Sequence, residues 1–438
     1  MPIDRRPMAT NGKPIPKLQE LVDDLATTNR IGFLWLVLQV VCMAVVGYMI
    51  DWPAVLLAPL TSSVAIGLVV GQPIISILRL WTQNKKEIGA LKETTRFGQY
   101  DKHRLLSIFQ ETVRRLGIPK PHPRVFITPD KTLNASSVRL GLLGLVRSLN
   151  GIYLNRQVLH RLTPDELQDL MGHELGHYSK YYLLNSRLMI LSLTLGAMLG
   201  LLIGQWTGMS SFLSLILSAA CASLLGKIDG SLWVSVGPKI EYLCDSYGSQ
   251  ASSVLTSING LLKIGLEAEM QQQIQKHAIL EARRGELSSQ SVLQAVQQAI
   301  PFGSVSREEL LKSVEREIAK RADRSKNVSL TGFLDYAWNS GTHAALDEEL
   351  EAELQKLEIL ETLPRLAWEE LLPSGTDSLF DEYTVGNLIE LIMAQPNAPL
   401  FRLLTEIGLQ YDYHPPFRDR ILFLWYNRRD IEFTRTGW

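Results

Sequence analysis

The sequence predicts a mainly helical α+β protein with four transmembrane helices. Two observations lead to this prediction: long runs without a charged residue, and short strand-like segments that alternate with well-marked helices. The chain has 438 residues, of which 46% are hydrophobic and 20% charged, enough for several domains or for one domain with membrane spans. Its formal net charge of −1 argues against nucleic acid as a partner.

Four apolar runs are the predicted membrane spans. Ile31–Ile50 has no charged residue, and its length is what a helix needs to cross a bilayer. A short turn separates it from Ala54–Leu78, so these two runs form a predicted hairpin. Leu188–Trp206 and Phe212–Leu225 form a second one. Its last run becomes polar at Lys227 and Asp229 and is apolar again through Val236. The alternative for this second pair is a buried helical hairpin in a soluble core.

Basic residues flank the first predicted hairpin, and the turns of both hairpins lack them. Arg30 precedes the first span and Lys85 follows the second, whereas the turns at 51–53 and 207–211 contain no lysine or arginine. The positive-inside rule therefore predicts that both termini and the segment 82–185 lie on the cytoplasmic side. The three cysteines form no disulfide framework, which agrees with a reducing compartment.

The segment 82–185 is the predicted α+β part. An amphipathic helix is expected over 102–116, and strands over 124–128, within 134–140 and over 151–154. A further helix begins at Pro164, with Thr163 as its cap and Glu166 completing a capping box. Residues 260–400 carry almost no strand signal and are expected to be helical, with a loop around 301–306.

The helix that begins at Pro164 carries the motif His173-Glu174-Leu175-Gly176-His177. A spacing of four puts both imidazoles on one helix face, where they can bind one Zn²⁺. Glu174 lies beside that face and can take a proton from a zinc-activated water and pass it to a leaving amine. Gly176 leaves room for backbone or substrate to approach. The motif predicts a zinc-dependent protease; the alternative is two solvated histidines and an ordinary glutamate.

A third ligand is expected near the end of the fourth apolar run. Glu241 is the candidate, with Cys244 as a rival because a thiolate also binds zinc. Asp245 lies four residues after Glu241, on the same helix face, and could accept a hydrogen bond from a ligating histidine. The alternative for Glu241 is a capping or interface carboxylate.

These motifs resemble the M48 peptidases, the group of the HtpX heat-shock protease and the CAAX-processing proteases. The resemblance covers residues 100–250 and 410–425: the zinc motif, Glu241-x-x-x-Asp245, Asn134-Ala135, the segment 159–167 and His414-Pro-Pro-x-x-x-Arg420-Ile. It departs at Ser136 and Ser137, where the family often has an aromatic residue, and in the long stretch before His414. Two spans on each side of the zinc helix are similar to the HtpX arrangement.

The resemblance implies a cytosol-facing zinc endopeptidase that acts on membrane proteins in quality control. His173, His177 and Glu241 would be the zinc ligands and Glu174 the base. His414 and Arg420 would lie near the site, His414 as a donor to the developing oxyanion and Arg420 as a partner of a carboxylate such as Asp245. For both, a structural role is the alternative. Asn134 and Ala135 would offer an edge strand to an extended substrate.

The chain is thus expected to contain seven segments. They are a cytosolic N-terminal tail (1–30), a transmembrane hairpin (31–81), a zincin-type metallopeptidase domain (82–185), a second transmembrane hairpin (186–236), a third-ligand helix (237–265), an added helical region (266–400) and a C-terminal peptidase segment (401–438).

The expected partners are protein or peptide substrates, above all membrane proteins, together with the lipid bilayer; the sequence also allows a homo-oligomer. The expected location is a bacterial plasma membrane, or a thylakoid or organelle membrane. One alternative function is a zinc-binding adaptor or scaffold without proteolysis, which would not need Glu174. Another is a CAAX-type processing protease, against which the small number of spans counts.

Overall fold

The fold is taken from a computed structural model of the chain. It describes residues 6–10, 12–57, 78, 80–130, 133–138, 149–178, 185–233, 236–284, 365–371, 380–403, 405–406 and 414–433. The chain separates into two compact units. One, unit A, comprises Pro16–Ser257 and Phe423–Trp438, and the other, unit B, comprises Met1–Ile15 and Ile258–Leu422.

A small sheet forms the β part of unit A. Its strands are β1 (Lys86–Glu87), β4 (Arg124–Thr128), β5 (Ala135–Val138) and β6 (Gly151–Asn155). They lie in the order β1-β4-β6-β5, so β5 is an edge strand among the residues that the structure describes. β4 and β6 are parallel, whereas the two outer pairings are antiparallel. A two-stranded ribbon of β2 (Arg96–Phe97) and β3 (Tyr100–Asp101) lies between β1 and β4 in the sequence. The predicted α+β class is confirmed.

The helices of this α+β part end where the sequence predicts. Helix α3 (Lys102–Leu116) begins after Asp101, whose carboxylate accepts from the Arg104 N–H, and ends at Gly117 in the left-handed conformation. A short α4 (Val158–Arg161) leads to α5 (Pro164–Gly176), which begins with the predicted capping box. The start and end of α3 and the start of α5 depend on residues adjacent in the sequence, so they can be predicted from the sequence.

Four helices contain the described apolar segments. They are α1 (Leu18–Met49), α2 (Trp52–Leu56), α6 (Asn185–Trp206) and α7 (Ser211–Trp233). In the described part of the chain two helices are long and apolar enough to cross a membrane, α1 and the stretch Ser211–Gly230 of α7. The apolar part of α6, Leu191–Trp206, is shorter. The predicted run 54–78 lies largely outside the described residues, so four spans are not confirmed.

Small residues let α6 and α7 pack closely. A side chain at Gly200 would overlap the main chain of Ser218, and one at Gly196 would lie 2.6 Å from the Ala222 Cα. Two polar contacts join α1 to this pair: Trp35 Nε1 donates to Asp229 Oδ1 at 3.0 Å, and Gln39 Nε2 donates to Ser192 Oγ at 2.6 Å. These helices therefore associate through small residues and hydrogen bonds, the means by which membrane helices associate.

The described ranges contain five further α-helices: α8 (Gly237–Ala251), α9 (Val254–Arg284), α10 (Glu382–Ala394), α11 (Phe417–Tyr426) and α12 (Arg428–Phe433). In unit B, the buried Trp368 makes edge-on contacts with Phe380 and Phe401. Asn259 on α9 bonds both the N–H and the C=O of Phe380. The described parts of the region 260–400 contain no strand, as predicted, and the predicted loop at 301–306 lies outside the described residues.

Candidate metal centre

Helix α5 carries His173, and His177 is the residue that caps its end. The first turn of this helix is fixed by reciprocal hydrogen bonds. The Thr163 hydroxyl accepts from the Glu166 N–H at 3.4 Å, and the Glu166 carboxylate accepts from the Thr163 N–H at 2.8 Å. Pro164 occupies the first turn, where its missing N–H costs nothing. The helix is thus anchored at one end, and at the other end His173 lies in its last turn and His177 directly follows it.

Glycines bring α5 and α8 unusually close together. A Cβ at Gly172 would lie 2.8 Å from the Ala251 Cβ, and one at Gly176 would lie 2.9 Å from both Cα and Sγ of Cys244. On α8, a Cβ at Gly248 would lie 2.9 Å from the Asp169 carbonyl oxygen. The room at Gly176 is therefore filled by the backbone of α8 rather than by a substrate. This approach is what brings Glu241 of α8 to the histidines of α5.

The three expected ligands lie together. His173 Nε2 is 3.4 Å from Glu241 Oε2, and His177 Nε2 is 3.6 Å from Glu241 Oε1. One potential ligand atom from each residue lies within 4.8 Å of the others. Two ligands of a tetrahedral zinc, each about 2.0–2.1 Å from the ion, are about 3.4 Å apart. The donor types therefore suit a zinc ion, and the two histidine–glutamate distances are close to this value.

Asp245 contacts the ring nitrogen of His173 that faces away from Glu241. Its Oδ1 lies 3.0 Å from His173 Nδ1, which directs Nε2 toward Glu241. Burial alone would lower the pKa of His173, but hydrogen bonds to Asp245 and Glu241 outweigh that effect and raise the pKa to about 10. The two carboxylates therefore make this pocket strongly attractive to positive charge.

Cys244, the rival ligand, is fully buried beside Gly176. The described group of potential metal ligands comprises His173, His177 and Glu241, and Cys244 is not part of it. This geometry favours Glu241 as the third ligand.

Glu174, the expected base, is 5% exposed and has a partner that sequence reasoning missed. The Ser137 hydroxyl lies 2.6 Å from Glu174 Oε2 and 2.6 Å from the Glu174 carbonyl oxygen. Ser137 belongs to β5, and the sequence marked it only as a departure from the family pattern. Spacing could not have shown this contact, because the two residues are 37 positions apart.

The other expected site residues fall in two places. Asn134 directly precedes β5, and its side-chain oxygen accepts from the Ala135 N–H at 2.9 Å, while Ala135 itself is buried in β5. His414 and Arg420 belong to unit B, where His414 is exposed and the Arg420 guanidinium lies over the Phe417 ring. The roles expected for His414 and Arg420 at the metal centre remain predictions.

A comparison of the sequence with protein-family models shows which peptidase family the segment around this site resembles. Residues 99–255 match the model of peptidase family M48. This segment is therefore similar to the M48 peptidases. The M48 match includes both histidines, Glu174, Glu241 and Asp245 and ends before His414. Searches of curated proteins and of solved structures found no match to the chain.

Proposed function

We propose that this protein is a membrane-embedded, zinc-dependent endopeptidase that hydrolyses peptide bonds in misfolded membrane or membrane-associated proteins. The observation that carries the proposal is the group formed by His173, His177 and Glu241, with Glu174 next to the first histidine, inside an M48 domain. The three grouped residues would hold the zinc ion. When bound, zinc supplies Lewis-acid chemistry that makes a water molecule acidic near neutral pH.

Glu174 is the proposed general base. It follows His173 in the last turn of α5, and its side chain is almost fully buried, so its carboxylate is shielded from bulk water. In the proposed reaction this carboxylate takes a proton from the attacking water and later gives it to the departing amine. A general base of this kind accounts for about 10²–10⁴-fold of a rate enhancement.

The edge of β5 is the proposed binding site for an extended substrate. The Asn155 N–H donates to the Asn134 carbonyl oxygen, which makes residues 134 and 155 a hydrogen-bonded pair. Hydrogen-bonded and non-hydrogen-bonded pairs alternate along an antiparallel ladder, so the main chains of Ala135 and Ser137 face away from β6. A peptide could therefore pair with the Ala135 C=O and with both main-chain groups of Ser137.

Exposed apolar side chains support the membrane part of the proposal. Only 17% and 11% of the residues in the apolar windows of α1 and α7 are buried within the protein. A soluble core helix would bury most of these side chains, whereas lipid accommodates them without cost. The exposed large residues on α1, α6 and α7 include Ile31, Phe33, Leu34, Val41, Ile203, Phe212, Ile216 and Leu224.

The four-span topology completes the proposed arrangement. The apolar runs at 54–78 and 188–206 would supply the two further spans, and the basic residues beside the hairpins favour a cytoplasmic position for the metal centre. The host membrane would be a bacterial plasma membrane or a thylakoid or organelle membrane. A site at that membrane surface would have access to misfolded segments of other membrane proteins.

Proteolysis by the purified full-length protein in lipid nanodiscs tests this function. The substrate is a chemically unfolded, fluorescently labelled protein, and bound zinc is measured on the same samples. The wild type should cleave, and Glu174→Gln should lose at least about 10²-fold in rate while it keeps its zinc. Glu390→Gln makes the same change at an exposed position of unit B and should cleave normally. Equal cleavage by the wild type and Glu174→Gln, or no cleavage by the zinc-loaded wild type, would refute the proposal.

A further inference from the structure

We propose that Ser137 is the positioning residue for Glu174: its hydroxyl fixes the orientation of the base and links it to the strand on which substrate would lie. The inference rests on the proposed function, and it concerns a residue that departs from the family pattern. The observation behind it is one hydroxyl within 2.6 Å of both the carboxylate and the main-chain carbonyl of Glu174.

The main-chain contact follows from where α5 ends. The last carbonyls of a helix have no partner within the helix. The Tyr178 N–H donates to the Leu175 carbonyl, so it does not satisfy that of Glu174. The Ser137 oxygen lies 2.6 Å from the Glu174 carbonyl instead, and the single hydroxyl proton is shared between this carbonyl and Oε2. The end of α5 is thereby joined to the edge strand at the residue that carries the base.

The carboxylate contact constrains which oxygen can react. A hydrogen bond to an ionised group is stronger than one between neutral groups, and Oε2 has the Ser137 hydroxyl at 2.6 Å. With Oε2 held in this way, Oε1 is the oxygen that exchanges a proton with the attacking water. A general base works only at the correct distance and angle from the proton that it abstracts, so this constraint acts on the rate.

Ser137 also lies where a substrate strand would pair with β5. The alternation of the ladder turns its main-chain N–H and C=O toward the free edge of β5, while its side chain contacts α5. Tyr178, just after His177, donates its hydroxyl to the carbonyl of the next strand residue, Val138, at 2.6 Å. A substrate strand that pairs with Ser137 would therefore lie against the residue that orients the base.

The sharpest test compares Ser137→Thr with Ser137→Val. Threonine and valine have nearly the same shape, both suit a strand, and they differ by one hydroxyl. We expect Ser137→Thr to retain most of the wild-type kcat. Ser137→Val should lose about tenfold or more in kcat, which is about 1.4 kcal/mol, with KM and bound zinc unchanged. Ser107→Ala, at an exposed position of α3, should behave as the wild type. Equal kcat values for Ser137→Thr and Ser137→Val would overturn the proposal.

A measurement without turnover separates this inference from the proposed function. Melting temperatures of the metal-free protein are measured for Ser137→Thr and Ser137→Val, each with Glu174 intact and combined with Glu174→Ala. The difference in melting temperature between the threonine and valine variants should become smaller when the carboxylate is removed, because only the contact to the main-chain carbonyl remains. An unchanged difference would show that the hydroxyl does not hold the carboxylate, whether or not the protein cleaves peptides.

Discussion

Asp245 Oδ1 lies 3.0 Å from Nδ1 of His173, on the side of the imidazole opposite to Glu241. This contact selects the ring orientation in which Nε2 faces the other two potential ligands. It also places a second negative charge behind the first histidine, which increases the basicity of the ligand. We therefore expect Asp245 to affect metal affinity without direct contact to the ion.

Replacement of Asp245 should therefore weaken metal binding in a graded way. Asp245→Asn keeps an oxygen acceptor but loses the charge, and Asp245→Ala loses both. We expect zinc affinity to fall by about 10-fold for the first and up to about 100-fold for the second. Competition with a chromophoric chelator measures this directly. Asp130→Asn, at an exposed position, should bind zinc as the wild type does. Undiminished affinity in Asp245→Ala would contradict the role assigned to this contact.

Gly176→Ala should push α5 and α8 apart. The added Cβ would lie 2.9 Å from Cys244 Cα, a main-chain atom that cannot move without the helix. We expect a loss of about 1–3 kcal/mol in stability from overpacking, together with weaker zinc binding because Glu241 moves with α8. Thermal melting and chelator competition on the same variant measure both effects.

Gly386→Ala is the matched control for that prediction. Gly386 lies within α10, and nothing lies within 4 Å of the place its Cβ would occupy. Alanine favours the helical conformation by about 1 kcal/mol over glycine, so this variant should be as stable as the wild type or more so. Equal destabilisation by the two substitutions would show that close packing at Gly176 is not the cause.

Sequence patterns predicted the parts of this fold that depend on neighbouring residues. The capping box at Thr163 and the helix that ends at Gly117 are local signals, and both are observed. Helix α1 begins at Leu18, before the apolar run at 31–50, because Leu18, Leu21 and Leu25 form a buried face among polar residues. A search for uncharged runs cannot detect such a face.

The site was predictable only where its chemistry is encoded in short motifs. His173 and Glu174 lie in the last turn of α5 and His177 caps it, and Glu241 and Asp245 share a face of α8. The contact of Ser137 with Glu174 and the glycine contacts of α5 with α8 depend on the tertiary approach of separate elements. No periodicity or spacing within the sequence encodes those distances.

Thr163→Ala should destabilise unit A through the start of α5. The substitution removes the hydroxyl that accepts from the Glu166 N–H, at a cost of about 0.5–2 kcal/mol. Thr163→Ser keeps that hydroxyl and should melt close to the wild type. The effect is measured on the metal-free protein, so that zinc does not mask it. Equal melting of the Ala and Ser variants would show that this cap contributes little.

Glu406 in unit B should make stability fall as pH rises. Burial raises the pKa of this carboxyl to about 8, although its hydrogen bond from the Phe417 N–H opposes the shift. The folded state therefore binds more protons than the unfolded state between about pH 4.5 and pH 8, and stability declines across that window. Burial also raises the pKa of the nearby Asp419, which acts in the same direction.

Glu406→Gln keeps an oxygen acceptor for Phe417 but does not ionise. Its melting temperature should fall less than that of the wild type between pH 5 and pH 8, by the linkage relation. Glu390→Gln removes the same charge from an exposed position and should follow the wild-type curve, so parallel curves for all three proteins would disprove the role of Glu406.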